Sequence, residues 1–171
     1  MATIDATIHN FLSPLNFKFR LKRAPNLNFF VQQITIPGVS LPSVDVSNPL
    51  LRIPYPGDHV MYEELSLTFK VDENLQNYLE IQNWIRGIGK TSYQEYVAIN
   101  SNKSYTGDGI TSEISVTVLT SSKNPNYEIV FQEAFPISLS GLTFKTTDES
   151  VDYLEASAQF RYLIYDINKI T

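Results

Sequence analysis

Cysteine is absent from this sequence, which excludes disulfide bonds and thiolate metal sites. Histidine is nearly absent, because only His9 and His59 occur, and neither has a second histidine at the spacing of a metal site. We therefore expect no metal and no cofactor. The lack of cysteine also fits assembly in a reducing cytoplasm.

Long apolar runs are missing too. No stretch approaches the ~20 apolar residues that span a bilayer, and residues 1–14 lack the basic start and apolar core of a signal peptide. An excess of positive charge is also missing, since the net charge is −5. A sequence-independent DNA-binding protein is normally basic, because its affinity comes from neutralising phosphates. We therefore expect no membrane contact and no stable binding of nucleic acid.

Recognisable catalytic motifs are likewise lacking. Residues 87–92 end like a phosphate-binding loop, but Trp84 stands where that motif needs glycine, and a helical pattern precedes it. The acidic pairs 63–64 and 148–149 lie at a strand start and in a turn, where carboxylates are usually solvated. No nucleophile elbow occurs. We therefore expect that the protein is not an enzyme, although a small hydrolase remains a minor alternative.

The composition is that of a folded domain rich in β-structure. Hydrophobic residues make up 43% of the 171 residues, charged residues 18% and aromatic residues 12%. This length buries a sizeable core, and abundant Tyr, Phe, Val, Ile and Thr favour strands. We expect residues 1–171 to form one domain.

Alternation of apolar and polar residues predicts the first strands. Residues 16–22 and 63–71 alternate cleanly, and residues 27–36 alternate with a change of phase at Gln32 and Gln33 that indicates a β-bulge. Residues 16–22 and 27–36 lie close together in the sequence, which suggests that these two strands pair as a hairpin. Strands are also predicted over 112–119, over 127–135 continuing past Pro136 toward Leu142, and over 154–164, after a polar loop at 91–110.

One helix interrupts this pattern. Spacings of three and four residues place one apolar face on Leu75, Tyr78, Ile81, Ile85 and Ile88. Asp72 or Asn74 is a candidate N-cap, and Gly87 and Gly89 are expected to end the helix. The order of strands, one helix and strands predicts a mainly β fold, a sandwich or barrel with the helix packed on its side.

Residues 39–58, here called the arm, are unusual because they are both proline-rich and apolar. Prolines at positions 42, 49, 54 and 56 disfavour a place in a central sheet. The arm nevertheless carries many apolar side chains that need a partner surface. We expect it to lie across an adjacent subunit, through the interface candidates Val39, Leu41, Val44, Val46, Leu50, Leu51, Ile53 and Tyr55.

Basic residues alternate with phenylalanines at the start of the chain. Lys18, Arg20, Lys22 and Arg23 form this stripe. Three interpretations stay open: the bases simply face water, they contact an acidic neighbouring subunit, or they follow a phosphate backbone.

Several short motifs, taken in order, resemble the tail tube proteins of contractile-tailed phages of the T-even type. They lie at residues 14–17, 36–39, 56–58, 65–69, 72, 83–85, 131–136 and 160–162. The resemblance covers about residues 15–166 and extends to relatives that initiate the tube or join it to the baseplate.

The resemblance implies two packed antiparallel sheets with one flanking helix. It also implies a virion protein that forms stacked, hexameric rings around a channel for DNA in transit, with tail sheath or baseplate proteins as partners. The polar residues Glu64, Ser66 and Thr68 become candidates for the lumen, because they alternate with Leu65, Leu67 and Phe69. A tube-initiator or baseplate-junction subunit is the first alternative, and a nucleic-acid-binding β-barrel module is the alternative from another class.

Overall fold

The structure is a computed structural model that describes residues 11–47, 50–89, 93–94, 97, 109–146 and 153–170. Its elements are β1 Phe17–Leu21, a 3-10 turn Pro25–Leu27, β2 Val31–Thr35, β3 Val39–Ser40, β4 Ser43–Ser47, β5 Arg52–Pro56, β6 Met61–Tyr62, β7 Leu65–Lys70, α1 Gln76–Ile88, β8 Ser112–Leu119, β9 Pro125–Leu139, β10 Glu155–Arg161 and β11 Ile164–Lys169. This order of strands, one helix and strands confirms the predicted mainly β fold.

Two antiparallel sheets share the long strand β9. Sheet A consists of β1, β8, the first part of β9 and β11, while sheet B consists of the last part of β9, β10, β7 and β2. Glu133, with φ of 53°, lies where β9 passes from one sheet to the other. A left-handed residue interrupts the pleat and redirects a strand, so one strand can serve both sheets.

The core lies between the inner faces of the sheets and the helix. In β7, Leu65, Leu67 and Phe69 are at most 1% exposed, while the alternate residues are half-buried. The same alternation in β10 buries Ala156, Ala158 and Phe160 beside them. Burial of each of these Leu and Phe side chains contributes roughly 1.5–3 kcal/mol, so the alternation determines which face of each strand turns inward.

The predicted hairpin between the first two strands is wrong. β1 pairs with β8, and β2 pairs with β7. The 3-10 turn between them buries Leu27 completely, and it sends the two strands to different sheets. The predicted bulge is confirmed, because the register between β2 and β7 shifts between Val31 and Gln33.

The helix forms where predicted, but its buried face is rotated. Asn77, Ile81, Trp84 and Gly87 are its buried residues, whereas Tyr78, Ile85 and Ile88 pack half-buried at the edge of the core. Trp84 Nε1 donates to the carbonyl of Ile110 at 2.9 Å, which satisfies its polar atom.

The predicted N-caps of the helix, Asp72 and Asn74, are wrong, whereas the prediction that Gly89 ends the helix is confirmed. Leu75, with φ of 57°, is the N-cap and makes no side-chain capping bond. Instead, Asn77 Oδ1 accepts from the backbone N–H of Asp72 at 3.2 Å, and its Nδ2 donates to the carbonyl of Lys70 at 2.8 Å. Gly87 lies inside the helix, and Gly89 is its C-cap.

The later strands lie where the sequence predicts them, except at one point. β8 matches residues 112–119, and β9 continues past Pro136 as expected. The predicted strand 154–164 is divided into β10 and β11 around Tyr162 and Leu163. The division follows from the bend of β9, because β10 pairs with its last part and β11 with its first part.

Most of the predicted loop 91–110 lies outside the described residues, but residues 93–94 and 97 are helical, so the prediction of a loop is wrong there. Within the ranges that are described, no helix combines the length and apolar character needed to cross a membrane.

Candidate assembly surfaces

The arm forms a ribbon of its own. β4 pairs only with β5, from Ser43 opposite Pro56 to Ser47 opposite Arg52, and β3 pairs only with β6. Pro54 and Pro56 lie within β5 and lack the N–H group that a further strand would need. Among the described residues, the arm therefore makes no ladder with sheet A or sheet B.

The apolar side chains of the arm are exposed, and those of β4 and β5 share one face of the ribbon, because Val44 lies opposite Tyr55 and Val46 lies opposite Ile53. Their exposure ranges from 42% at Ile53 to 90% at Leu50, and the set comprises Val39, Leu41, Val44, Val46, Leu50, Leu51, Ile53 and Tyr55. Such a concentration of exposed apolar groups is uncommon on a monomeric protein and typical of an interaction surface.

Aromatic rings surround the root of the arm, a name used here for residues 37–38, where the chain enters the arm, and residues 61–63, where it returns. Tyr62 of β6 lies edge-on to Tyr162 and Tyr165, with ring centroids 5.9 and 5.7 Å away, and the buried Phe131 lies 4.9 and 5.3 Å from the same two rings. Burial, and then the neighbouring Tyr165, Tyr62 and Glu63, raise the pKa of Tyr162 to about 12. The hydroxyl of Tyr162 is therefore protonated and able to donate at neutral pH.

The outer face of sheet B is polar. Ser66 and Thr68 lie opposite Gln159 and Ser157 of β10, and Ser138 Oγ donates to Gln159 Oε1 at 2.7 Å. Hydroxyl and amide groups thus cover the middle of this face.

Charges of both signs lie at the two ends of this polar face. Glu64 Oε1 lies 3.6 Å from Arg161 Nε at one end, and Lys70 lies opposite Glu155 at the other. The lumen candidates Glu64, Ser66 and Thr68 therefore belong to a polar face whose charged residues balance.

The basic stripe is divided between structural contacts and the surface. Phe19 and Leu21 face the core, as the alternation predicts. Lys22 Nζ lies 2.5 Å from Glu113 Oε2, and Arg23 donates to the carbonyl of Gly109 while its guanidinium lies 5.1 Å from the centre of the Trp84 ring. Lys18 and Arg20 point into solvent from β1.

The described residues contain no group of three or more potential metal ligands. His59 is exposed, and His9 lies outside the described ranges, as do 148–149 of the acidic pairs. Glu63 has a structural contact, because its Oε2 accepts from the N–H of Gly38 at 3.3 Å.

The tyrosines at the root of the arm escaped the sequence analysis. Tyr62 lies far along the chain from Tyr162 and Tyr165, and no spacing rule connects them. The only available signal was the count of ten tyrosines in a chain with little charge.

Comparisons with known proteins agree with the fold. The family model described as phage tail tube protein matches residues 4–168. The chain is 27% identical over 172 residues to the tail tube terminator protein of Enterobacteria phage T4, covering 95% of this chain and 92% of that relative.

Solved structures share the fold at lower identity. A chain of the anti-feeding prophage cap, described as a tube terminating cap, aligns with a TM-score of 0.65 at 13% identity, over 99% of this chain and 100% of that one. A chain of the sheath-tube complex of an extracellular contractile injection system in its extended state aligns with a TM-score of 0.60 at 12% identity, over 97% and 99%. The match of the family model over nearly the whole sequence confirms the resemblance drawn from the motifs: this chain belongs to the phage tail tube protein family.

Proposed function

We propose that this protein forms a hexameric ring that ends the tail tube of a contractile phage-type particle. Its terminal position is supported by the identity to the tail tube terminator protein of phage T4 along almost the full length of both chains. Ring formation is supported chiefly by one structural observation, the eight exposed apolar side chains of the arm. The chain acts as one domain, residues 1–171, with the arm as its assembly element.

The arm provides the driving force for assembly. Burial of one Leu or Val side chain contributes roughly 1.5–3 kcal/mol, so several side chains of the arm together offset the entropic cost of association. Because the prolines restrict the backbone, less conformational entropy is lost when the arm docks. A patch of the arm that meets a different patch on the next copy produces a head-to-tail contact, which closes into a ring when the rotation allows it.

The polar face of sheet B, including Glu64, Ser66 and Thr68, lines the channel of the ring. Its hydroxyl and amide groups and its balanced charges offer no array of positive charge to hold phosphates. DNA would therefore pass without binding. A strongly basic lumen in a ring structure would contradict this assignment.

The protein is a structural component without enzymatic activity, assembled in the host cytoplasm and retained in the virion tail. Tail sheath or baseplate proteins are its partners besides further copies of itself. This proposal is supported by the presence of chains with the same fold in a sheath-tube complex and in a solved structure of an anti-feeding prophage baseplate.

Electron microscopy of the purified chain, combined with light scattering for mass, tests the proposal. We expect hexameric rings that do not grow into long tubes at high protein concentration. Long tubes would identify a subunit of the tube body instead, and a strictly monomeric protein would contradict ring formation. Retention on immobilised DNA that falls with salt would favour the nucleic-acid-binding module.

A further inference from the structure

We propose that Tyr62, Tyr162 and Tyr165 form a clamp that fixes the direction of the arm in the unassembled subunit. The arm is then presented to a second copy of the chain already oriented for docking. This inference rests on the proposed role of the arm in assembly and identifies the residues that position it.

The three rings contact one another and connect the arm to the sheets. Tyr162 and Tyr165 lie at the turn between β10 and β11 with ring centroids 5.9 Å apart, and Tyr62 projects from β6 onto both of them. Beneath them lies Phe131, which is fully buried in the core of the sheets. The contact therefore joins a strand of the arm's root to a rigid part of the fold.

Two hydroxyl groups reach the backbone on both sides of the arm. Tyr162 Oη donates to the carbonyl of Glu63 at 2.9 Å, just after the arm returns, and Tyr165 Oη donates to the carbonyl of Pro37 at 3.4 Å, just before the arm leaves. Between these points, the N–H of Glu63 donates to the carbonyl of Gly38 at 3.2 Å. The entering and leaving chains are thus tied to each other and to the tyrosines.

Without the clamp, the ribbon would have little to hold its direction. β3 and β6 pair over only two residues each, and β4 and β5 pair only with each other. An isolated two-stranded ribbon is marginally stable in water. Attachment at the root therefore determines how widely the arm swings.

A fixed direction strengthens assembly without adding any contact at the interface. When only a fraction of arms points correctly, the apparent dissociation constant rises by the inverse of that fraction. Each neutral hydrogen bond contributes about 1 kcal/mol, so removal of both hydroxyl groups should raise the concentration at half-assembly by roughly 3- to 30-fold.

Spin labels can measure the direction of the arm directly. The chain has no cysteine, so Ser47→Cys on the arm and Gln82→Cys on the exposed side of α1 can be labelled selectively. Dilution with unlabelled protein restricts the measured distances to single subunits. Double electron–electron resonance is then recorded for this labelled chain, for the Tyr162→Phe/Tyr165→Phe variant and for Tyr62→Ala. The control Tyr127→Phe makes the same chemical change at a partly exposed tyrosine of β9, away from the arm.

We expect a narrow distance distribution that broadens in the clamp variants and not in the control, together with the shift in half-assembly concentration. Circular dichroism should show that the sheets remain folded in each variant. An unchanged distribution in the clamp variants would overturn the inference, even if assembly changed.

Broadening without any loss of assembly would also overturn the inference, because direction would then be irrelevant to docking. Its failure is distinguishable from failure of the arm itself as the assembly element, since the latter is tested separately by placing charges on the arm's apolar side chains.

Discussion

The arm and the two sheets are built from similar residues, yet the sheets bury their apolar side chains and the arm exposes them. In β7 and β10, apolar side chains alternate with polar ones and are almost fully buried. In β4 and β5 every residue is exposed, including Val44, Val46 and Ile53. The sheets therefore complete their packing within one chain, while the arm leaves its apolar surface uncovered by that chain.

Charges on the arm should have the largest effect on assembly. Leu50→Asp combined with Ile53→Asp places two carboxylates in the proposed contact, where they would have to be desolvated. We expect ring formation to be abolished in sedimentation, while circular dichroism and the melting temperature stay close to wild type.

Ser43→Asp combined with Ser47→Asp is the matched control, because it adds the same charge to the arm at polar positions of β4. We expect this control to assemble better than the first variant. If the first variant still forms normal rings, the arm is not the assembly element.

A substitution in the core should instead lower the stability of the folded chain. Ile81 is fully buried, and truncation of a buried Ile to Ala costs about 2–5 kcal/mol, so Ile81→Ala should lower the melting temperature clearly. Leu79→Ala on the same helix is the control. Because Leu79 is 38% exposed, this variant should lower the melting temperature much less. Equal melting temperatures for the two variants would contradict the position of the helix.

A close contact within the arm allows a smaller perturbation. The N–H of Gly57 donates to the carbonyl of Pro42 at 2.7 Å, and a Cβ at position 57 would lie 2.5 Å from the same oxygen. Gly57→Ala should therefore distort the ribbon and weaken assembly several-fold, since one lost hydrogen bond costs about 1 kcal/mol.

The melting temperature should hardly change in Gly57→Ala, because the sheets do not depend on this contact. Gly141→Ala is the control, as a Cβ there meets nothing within 4 Å. Sedimentation measures the difference, and identical assembly of the two variants would show that the shape of the ribbon is unimportant.

The smallest expected effect concerns Glu80 on α1. Its Oε2 is buried without a partner among the described residues, while Oε1 accepts from Asn26 Nδ2 at 2.7 Å. Burial raises the pKa of Glu80, and the hydrogen bonds from Asn26 oppose that rise only in part.

The charged form of Glu80 is therefore the less favourable one in the folded state, and Glu80→Gln should raise stability only slightly at neutral pH, because solvent screens much of the charge on this partly exposed side chain. The advantage of the variant should shrink as the pH falls through the raised folded pKa, because wild-type Glu80 then takes up a proton in the folded state. Chemical denaturation of the wild type and the variant at pH 7 and at pH 4.5 measures the difference in their free energies of unfolding at each pH. A gain that stays constant with pH would contradict the role of charge.

The sequence by itself determined the local features. Alternation identified the faces of β7, β8 and β10, spacing identified α1, and proline content separated the arm from the sheets. These features depend on side-chain direction and backbone geometry, which repeat at fixed short spacings along the chain.

Only the tertiary structure decided which distant segments meet. Alternation reveals the inward face of a strand but not its partner, so β1 pairs with β8 instead of the nearby β2. For the same reason, Asn77 rather than Asp72 or Asn74 ties the start of the helix to the chain before it. Tyr62 meets Tyr162 and Tyr165 only because the bend of β9 brings the turn between β10 and β11 to the root of the arm. Contacts of this kind depend on how the whole chain closes, and no short-range pattern records them.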